Sequence, residues 1–96
     1  MTPPFSIRAK TRYEGLSDKL LTHYPEFEAI SHRAREILTA DPYNRSRAQH
    51  IKKLEAIPLG EGQRRLSLGR FRFRYDIYGQ EVVLQYCGLR REDTYR

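Results

Sequence analysis

Three arginines recur at every second position in Arg70-Phe71-Arg72-Phe73-Arg74, the end of the run from Gln63 to Arg74, QRRLSLGRFRFR. Read at the two-residue period of a strand, Phe71, Phe73, Tyr75 and Ile77 share one face, and Arg70, Arg72 and Arg74 the other. A helix would scatter these arginines around its circumference, whereas a strand gathers them into a cationic strip backed by an aromatic core. Guanidiniums two residues apart stand about 7 Å from each other, near the phosphate spacing of single-stranded nucleic acid. The end of the chain answers with Gly88-Leu89-Arg90-Arg91-Glu92-Asp93-Thr94-Tyr95-Arg96. Such a surface can bind a polyanion, and it can stabilise the charge that develops on a phosphodiester during cleavage.

The elements that must position these residues follow from periodicity. Phe5-Ser6-Ile7-Arg8-Ala9 alternates, which predicts a first strand with Phe5, Ile7 and Ala9 inward. From about Gly15 to Tyr24 the apolar residues Leu16, Leu20, Leu21 and Tyr24 recur at helical spacing, and Pro25 stops the helix. A second helix is predicted from about Glu26 to Ala40, with Phe27, Ile30, Ala34, Ile37 and Leu38 on one stripe. Glu26 and Glu28 in its first turn suit the helix dipole, and Asp41-Pro42 closes it. In the stretch from Tyr43 to Gly62, His50-Ile51-Lys52-Lys53-Leu54 reads either as a helical turn or as a loop anchor, with Pro58, Gly60 and Gly62 as breakers. Strands follow at roughly Arg64–Leu68, Arg70–Tyr78 and Glu81–Gly88, joined at Gly69 and by the hairpin Tyr78-Gly79-Gln80. Val82-Val83-Leu84 is the continuous apolar run of a strand covered on both faces. The order describes one α+β domain over residues 1–96. An N-terminal strand and a helical hairpin pack on one face of a twisted, mostly antiparallel sheet, whose other face carries Arg65, Ser67, Arg72 and Arg74.

Charge is segregated in the same direction. The chain carries 18 Lys+Arg against 12 Asp+Glu, a net charge of +6. Residues 1–44 are neutral, so the whole excess lies in residues 45–96 and is mostly Arg, the pattern of an electrostatic footprint for a polyanion. Ninety-six residues allow one modest core. The single Cys87 forms no internal disulfide and fits a reducing cytoplasm, and it reads as a core residue at a strand end. Met1-Thr2-Pro3-Pro4 lacks the charged and apolar regions of a secretory leader, and no apolar run approaches a membrane span. No C-x-x-C pair, H-E-x-x-H or phosphate-loop glycine pattern occurs, so neither a metal nor a cofactor is expected. His23, His32 and His50 are scattered and read as surface or capping residues, and Glu92-Asp93 beside Arg90-Arg91 as an ion-paired turn.

Four pieces of the sequence carry a family likeness: His50-Ile51-Lys52-Lys53-Leu54, Arg65-Leu66-Ser67-Leu68-Gly69, Phe71-Arg72-Phe73-Arg74-Tyr75-Asp76-Ile77, and Gly88-Leu89-Arg90-Arg91-Glu92-Asp93-Thr94-Tyr95. In this order and spacing the chain resembles the RelE/ParE superfamily of type II toxin–antitoxin toxins, from about Glu26 and most strongly from His50. The resemblance implies one of two activities. RelE-type toxins are ribosome-dependent endoribonucleases that cleave messenger RNA without a metal, the ribose 2′-hydroxyl attacking the adjacent phosphate to leave a 2′,3′-cyclic phosphate. ParE-type toxins inhibit DNA gyrase and cleave no nucleic acid.

Carried over by position, the resemblance makes Arg65, Arg72, Arg90 and Tyr95 the catalytic candidates. Arg65 and Arg72 would stabilise the phosphoryl oxygens, Arg90 would hydrogen-bond the leaving 5′-oxygen, and Tyr95 would stack on a base or orient the 2′-hydroxyl. Lys52, Lys53, Arg64, Arg70, Arg74 and Arg91 are the expected RNA-binding residues around them. The sequence departs from the nuclease pattern at Ser67, a position commonly basic, for which Arg64 or Lys52 and Lys53 would supply the charge. It also ends at Arg96, short of the C-terminal helix of many relatives. The implied partners are an acidic, partly disordered antitoxin and mRNA on the ribosome, or gyrase in the ParE reading.

Overall fold

The aromatic–arginine alternation builds the middle of the molecule: Phe71, Phe73 and Tyr75 are buried and the arginines between them are half-buried. The computed structural model describes residues 5–90. Their elements are β1 (Ser6–Ala9), α1 (Thr11–His23), α2 (Phe27–Ala40), β2 (Ile51–Lys53), β3 (Arg64–Leu68), β4 (Phe71–Tyr78) and β5 (Glu81–Leu89). The strands form one sheet in the order β1-β5-β4-β3-β2. β1 runs parallel to β5 and the other pairs are antiparallel. This is the expected α+β layout, with β4 and β5 interior because theirs are the longest apolar runs.

Both helices pack on one sheet face. Tyr13 and Leu20 of α1, with Phe27, Ala34, Ile37 and Leu38 of α2, meet Leu66, Phe71, Phe73, Tyr75, Val82, Leu84 and Cys87 of the sheet. Phe27 stacks on Phe73 at 5.8 Å and tilts against Phe71 at 5.1 Å, geometries that add to the area term of aromatic burial. The buried Tyr75 hydroxyl donates to the Pro42 carbonyl at 2.7 Å, tying the end of α2 to the sheet. Burial raises the Tyr75 phenol above its ordinary range, so it serves as a donor. Val82, Val83 and Leu84 are all fully buried, as the continuous apolar run requires.

Two elements differ from the sequence reading. α1 begins at Thr11 rather than near Gly15, because Tyr13 extends the buried stripe one turn earlier. Gly15 therefore lies inside the helix, on its exposed side, where an added Cβ would meet nothing within 4 Å. Gly15→Ala is expected to stabilise the protein by about 0.5–1 kcal/mol through the entropy of the unfolded chain. Chemical denaturation checks this, and an unchanged midpoint would count against the helical boundary. The second difference is at Ile51–Lys53, which forms an edge strand rather than a helical turn or a loop. Its residues pair with Leu66, Arg65 and Arg64, so Ile51 joins the core side and Lys52 faces the other way.

Candidate nucleic-acid interface

The sheet register assembles a row of cations on the face opposite the helices. Lys52 pairs with Arg65, Arg65 with Arg74, and Arg74 with Tyr86, so four adjacent strands contribute one side chain each. Neighbouring strands are about 4.8 Å apart, so the row is denser in charge than one strand alone could be. Like charges directly opposite in a sheet are unfavourable. At the far end the Arg12 guanidinium, from the start of α1, lies 5.6 Å from the centre of the Tyr86 ring. A parallel row holds Ser67, Arg72 and Gly88. His50 continues it in register, since the Ser67 amide donates to the His50 carbonyl at 2.9 Å. One Arg72 nitrogen donates to the carbonyls of Gly69 and Phe71, both at 3.1 Å, which holds the guanidinium against the β3–β4 turn.

A bulge makes Tyr86 part of this surface. Arg74 pairs with Tyr86 but Tyr75 with Leu84, leaving Gln85 as the extra residue of β5. Without the bulge, strict alternation from Val82 and Leu84 would turn Tyr86 into the helix-covered core. With it, Cys87 takes the core position and Tyr86 the open face. Gln85 in turn reaches the carboxylate of Asp76, its side-chain amide donating at 3.0 Å.

Asp76 is 1% exposed although it lies on the face away from the helices. The loop before β3 folds over it. The amides of Gly60, Gly62 and Gln63 donate to its two oxygens at 3.1, 2.9 and 2.9 Å, a nest of successive N–H groups around an anion. The same loop turns carbonyls to Arg74, whose guanidinium donates to Glu61 at 2.9 Å and Gly62 at 3.2 Å. Gly62 has φ +86°, and a Cβ there would stand 2.8 Å from that of Arg74. The loop thus closes one end of the open face and leaves Lys52, Arg65 and Arg72 at the other.

Several expected binding residues lie elsewhere. Arg70 belongs to the turn before β4, where Gly69 has φ +58°. It ion-pairs with Glu26 on the helix side and lies 4.5 Å from the Tyr24 ring centre. Hydrogen bonding to Arg70 holds the Glu26 carboxyl below its usual range. Arg64 pairs with Tyr75 and so faces the helix side, its guanidinium 4.9 Å from the Tyr43 ring centre, and Lys53 shares that side. Of the residues expected to supply charge in place of the serine at 67, only Lys52 stands on the open face. Arg90 follows Leu89 at the end of β5, and its amide donates to the Arg70 carbonyl at 2.8 Å. Arg91, Glu92, Asp93 and Tyr95 lie outside the described residues.

The remaining chemistry-bearing groups have structural roles. Burial pushes the Cys87 thiol up to about 12, which disfavours the thiolate, and the side chain sits in the core as expected of it. His23 bonds the Lys19 carbonyl one turn back in α1, and His32 is exposed on α2. Among the described residues no group of three His, Cys, Asp or Glu side chains gathers that could hold a metal ion. Nor is any helix among them long and apolar enough to cross a membrane.

No protein-family model and no curated protein matches the sequence. Among solved structures, the chain superposes on one from the crystal structure of the archaeal RelE–RelB complex of Pyrococcus horikoshii OT3 with a TM-score of 0.61. The match covers 91% of this chain and 96% of that one. The fold is RelE-like. Identity over the match is 20%, so the RelE-like likeness lies in architecture: two helices on one face of a mostly antiparallel five-stranded sheet.

Proposed function

We propose that this protein is the toxin of a toxin–antitoxin pair and a metal-independent endoribonuclease that cleaves mRNA on the ribosome. The observation that carries the reading is the row Lys52–Arg65–Arg74–Tyr86 beside Arg72, in which the sheet register sets three cations side by side on one face. Such a row attracts a phosphodiester.

In the reaction, the ribose 2′-oxygen forms a bond to the adjacent phosphorus and the P–O5′ bond breaks, leaving a 2′,3′-cyclic phosphate and a 5′-hydroxyl. Arg65 and Arg72 balance charge on the non-bridging oxygens. Arg90 hydrogen-bonds the departing 5′-oxygen, which takes its proton from water, and Tyr95 orients the attacking ribose. His50, in register with Ser67, is the side chain of the two rows whose type suits it to take the 2′-hydroxyl proton. The partner is an acidic antitoxin, as the RelE–RelB complex of the structural relative suggests. It would cover the rows and be drawn to them by the net charge of +6.

In vitro translation followed by primer extension on the message tests this. Cleavage within the message is expected, and it should be abolished where the scissile nucleotide is 2′-deoxy. Gyrase inhibition in a supercoiling assay without any RNA cleavage would instead assign the ParE-like activity, for which Ser67 at the centre of the Arg72 row is the supporting residue.

A further inference from the structure

A second cationic and aromatic cluster lies across the sheet from the rows. Adjacent residues of β3 serve both sides, Arg65 on the open face and Arg64 on the helix face. There the Tyr43 ring, 38% exposed, has the Arg64 guanidinium 4.9 Å and the Arg45 guanidinium 5.1 Å from its centre. Phe5 meets the same ring edge-on at 6.0 Å. Phe5, Asp41, Tyr43, Arg45, Gly79 and Gln80 line a cleft of about 450 Å³ at this spot.

The loop that presents Tyr43 and Arg45 is wired in place. Asp41 accepts from the amides of Arg45 and Ser46 at 2.8 and 3.0 Å and from the Ser46 hydroxyl at 2.7 Å. These bonds, the Ser46 amide foremost, hold its carboxyl below the usual range. The Asn44 side chain exchanges two bonds with the backbone of Gln49, at 2.8 and 3.1 Å. Asn44 and Arg47 adopt φ of 57° and 61°, the left-handed region, which asparagine tolerates well and arginine visits less often.

We propose that this cleft is a nucleotide subsite, taking one unstacked base of an RNA against Tyr43 with its phosphate at Arg45. The inference rests on the RNA-cleaving reading and extends it to a second face. Aromatic and guanidinium planes are the surfaces on which unstacked bases pack, and two guanidiniums on one exposed ring favour a polyanion over a neutral ligand. Asp41 in the lining repels phosphate, whereas Arg45 attracts it. The phosphate therefore goes to exposed Arg45, away from Asp41.

The test is an amide-resonance titration with adenosine 5′-monophosphate, inorganic phosphate and a short single-stranded RNA. The nucleotide is expected to shift Tyr43, Arg45 and Gly79 in the wild type and equally in Arg65→Gln. Arg45→Gln and Tyr43→Leu should abolish those shifts, leave the remaining spectrum folded, and weaken binding of the RNA about tenfold. Equal shifts from inorganic phosphate would reduce the cleft to an adventitious anion site and overturn the proposal. So would shifts from a Glu-rich peptide that the nucleotide does not reproduce, since the surface would then belong to a protein partner. RNA that perturbs only Lys52, Arg65 and Arg72 would overturn the subsite while sparing the rows, and RNA that perturbs neither face would overturn both.

Discussion

Asp76→Asn is expected to destabilise the protein by about 3 kcal/mol, lowering its melting temperature by roughly 12–24 °C. The carboxylate accepts four N–H groups: Gln63 on one oxygen, and Gly60, Gly62 and the Gln85 amide on the other. Asparagine keeps one acceptor oxygen and replaces the other by a donor, which would face N–H groups that have nowhere else to turn. Bonds to a charged acceptor are worth about 1.5–3 kcal/mol each, and a buried donor left unsatisfied costs more than the bond it loses. The same substitution would release the loop that holds Arg74 through the Glu61 and Gly62 carbonyls, so that Arg74 side-chain resonances should broaden. Thermal melting with side-chain spectra checks both effects. A loss below about 1 kcal/mol would mean that water reaches the carboxylate and the nest is not closed.

What the sequence reveals of this molecule depends on how local each determinant is. The Phe–Arg alternation of β4 and the apolar run of β5 are strong two-residue signals, and the strands they predict are within a residue or two of those observed. β2 carries no such signal. Three residues make a strand only because β3 lies beside them, so pairing decides and propensity does not. Arg70 was placed on the strip by carrying the alternation through Gly69, where the positive φ begins a turn and redirects the side chain to Tyr24 and Glu26. Arg64 follows from the same period that sets Arg65 outward, applied one residue earlier. Tyr86 is hidden by the bulge at Gln85, which exchanges the two faces from that point on. Asp76 reads as one more residue of an amphipathic strand. The available clue was Gly60-Glu61-Gly62: its two glycines have φ of 102° and 86°, which turns their amides inward toward one anion.

Arg65→Gln should lower the rate of RNA cleavage by about 10²–10³-fold, the scale on which removing one preorganised charge donor acts. Arg65 is the middle cation of its row, between Lys52 and Arg74, and the Arg74 guanidinium is already engaged by loop carbonyls. Lys52 is exposed at the sheet edge and serves as the control. Lys52→Gln removes a like charge facing Arg65, so it should raise stability by a few tenths of a kcal/mol. Its effect on the RNA should be confined to binding, with a shallower salt dependence and at most a tenfold loss of affinity. The two variants therefore separate two meanings of a charged row. If it is a catalytic surface, Arg65→Gln acts on the chemical step and Lys52→Gln on association. If it is a general polyanion surface, the two should weaken binding alike and leave the single-turnover rate of bound RNA unchanged. Single-turnover cleavage beside equilibrium binding at two salt concentrations distinguishes these, and equal effects at both positions would remove Arg65 from the catalytic assignment.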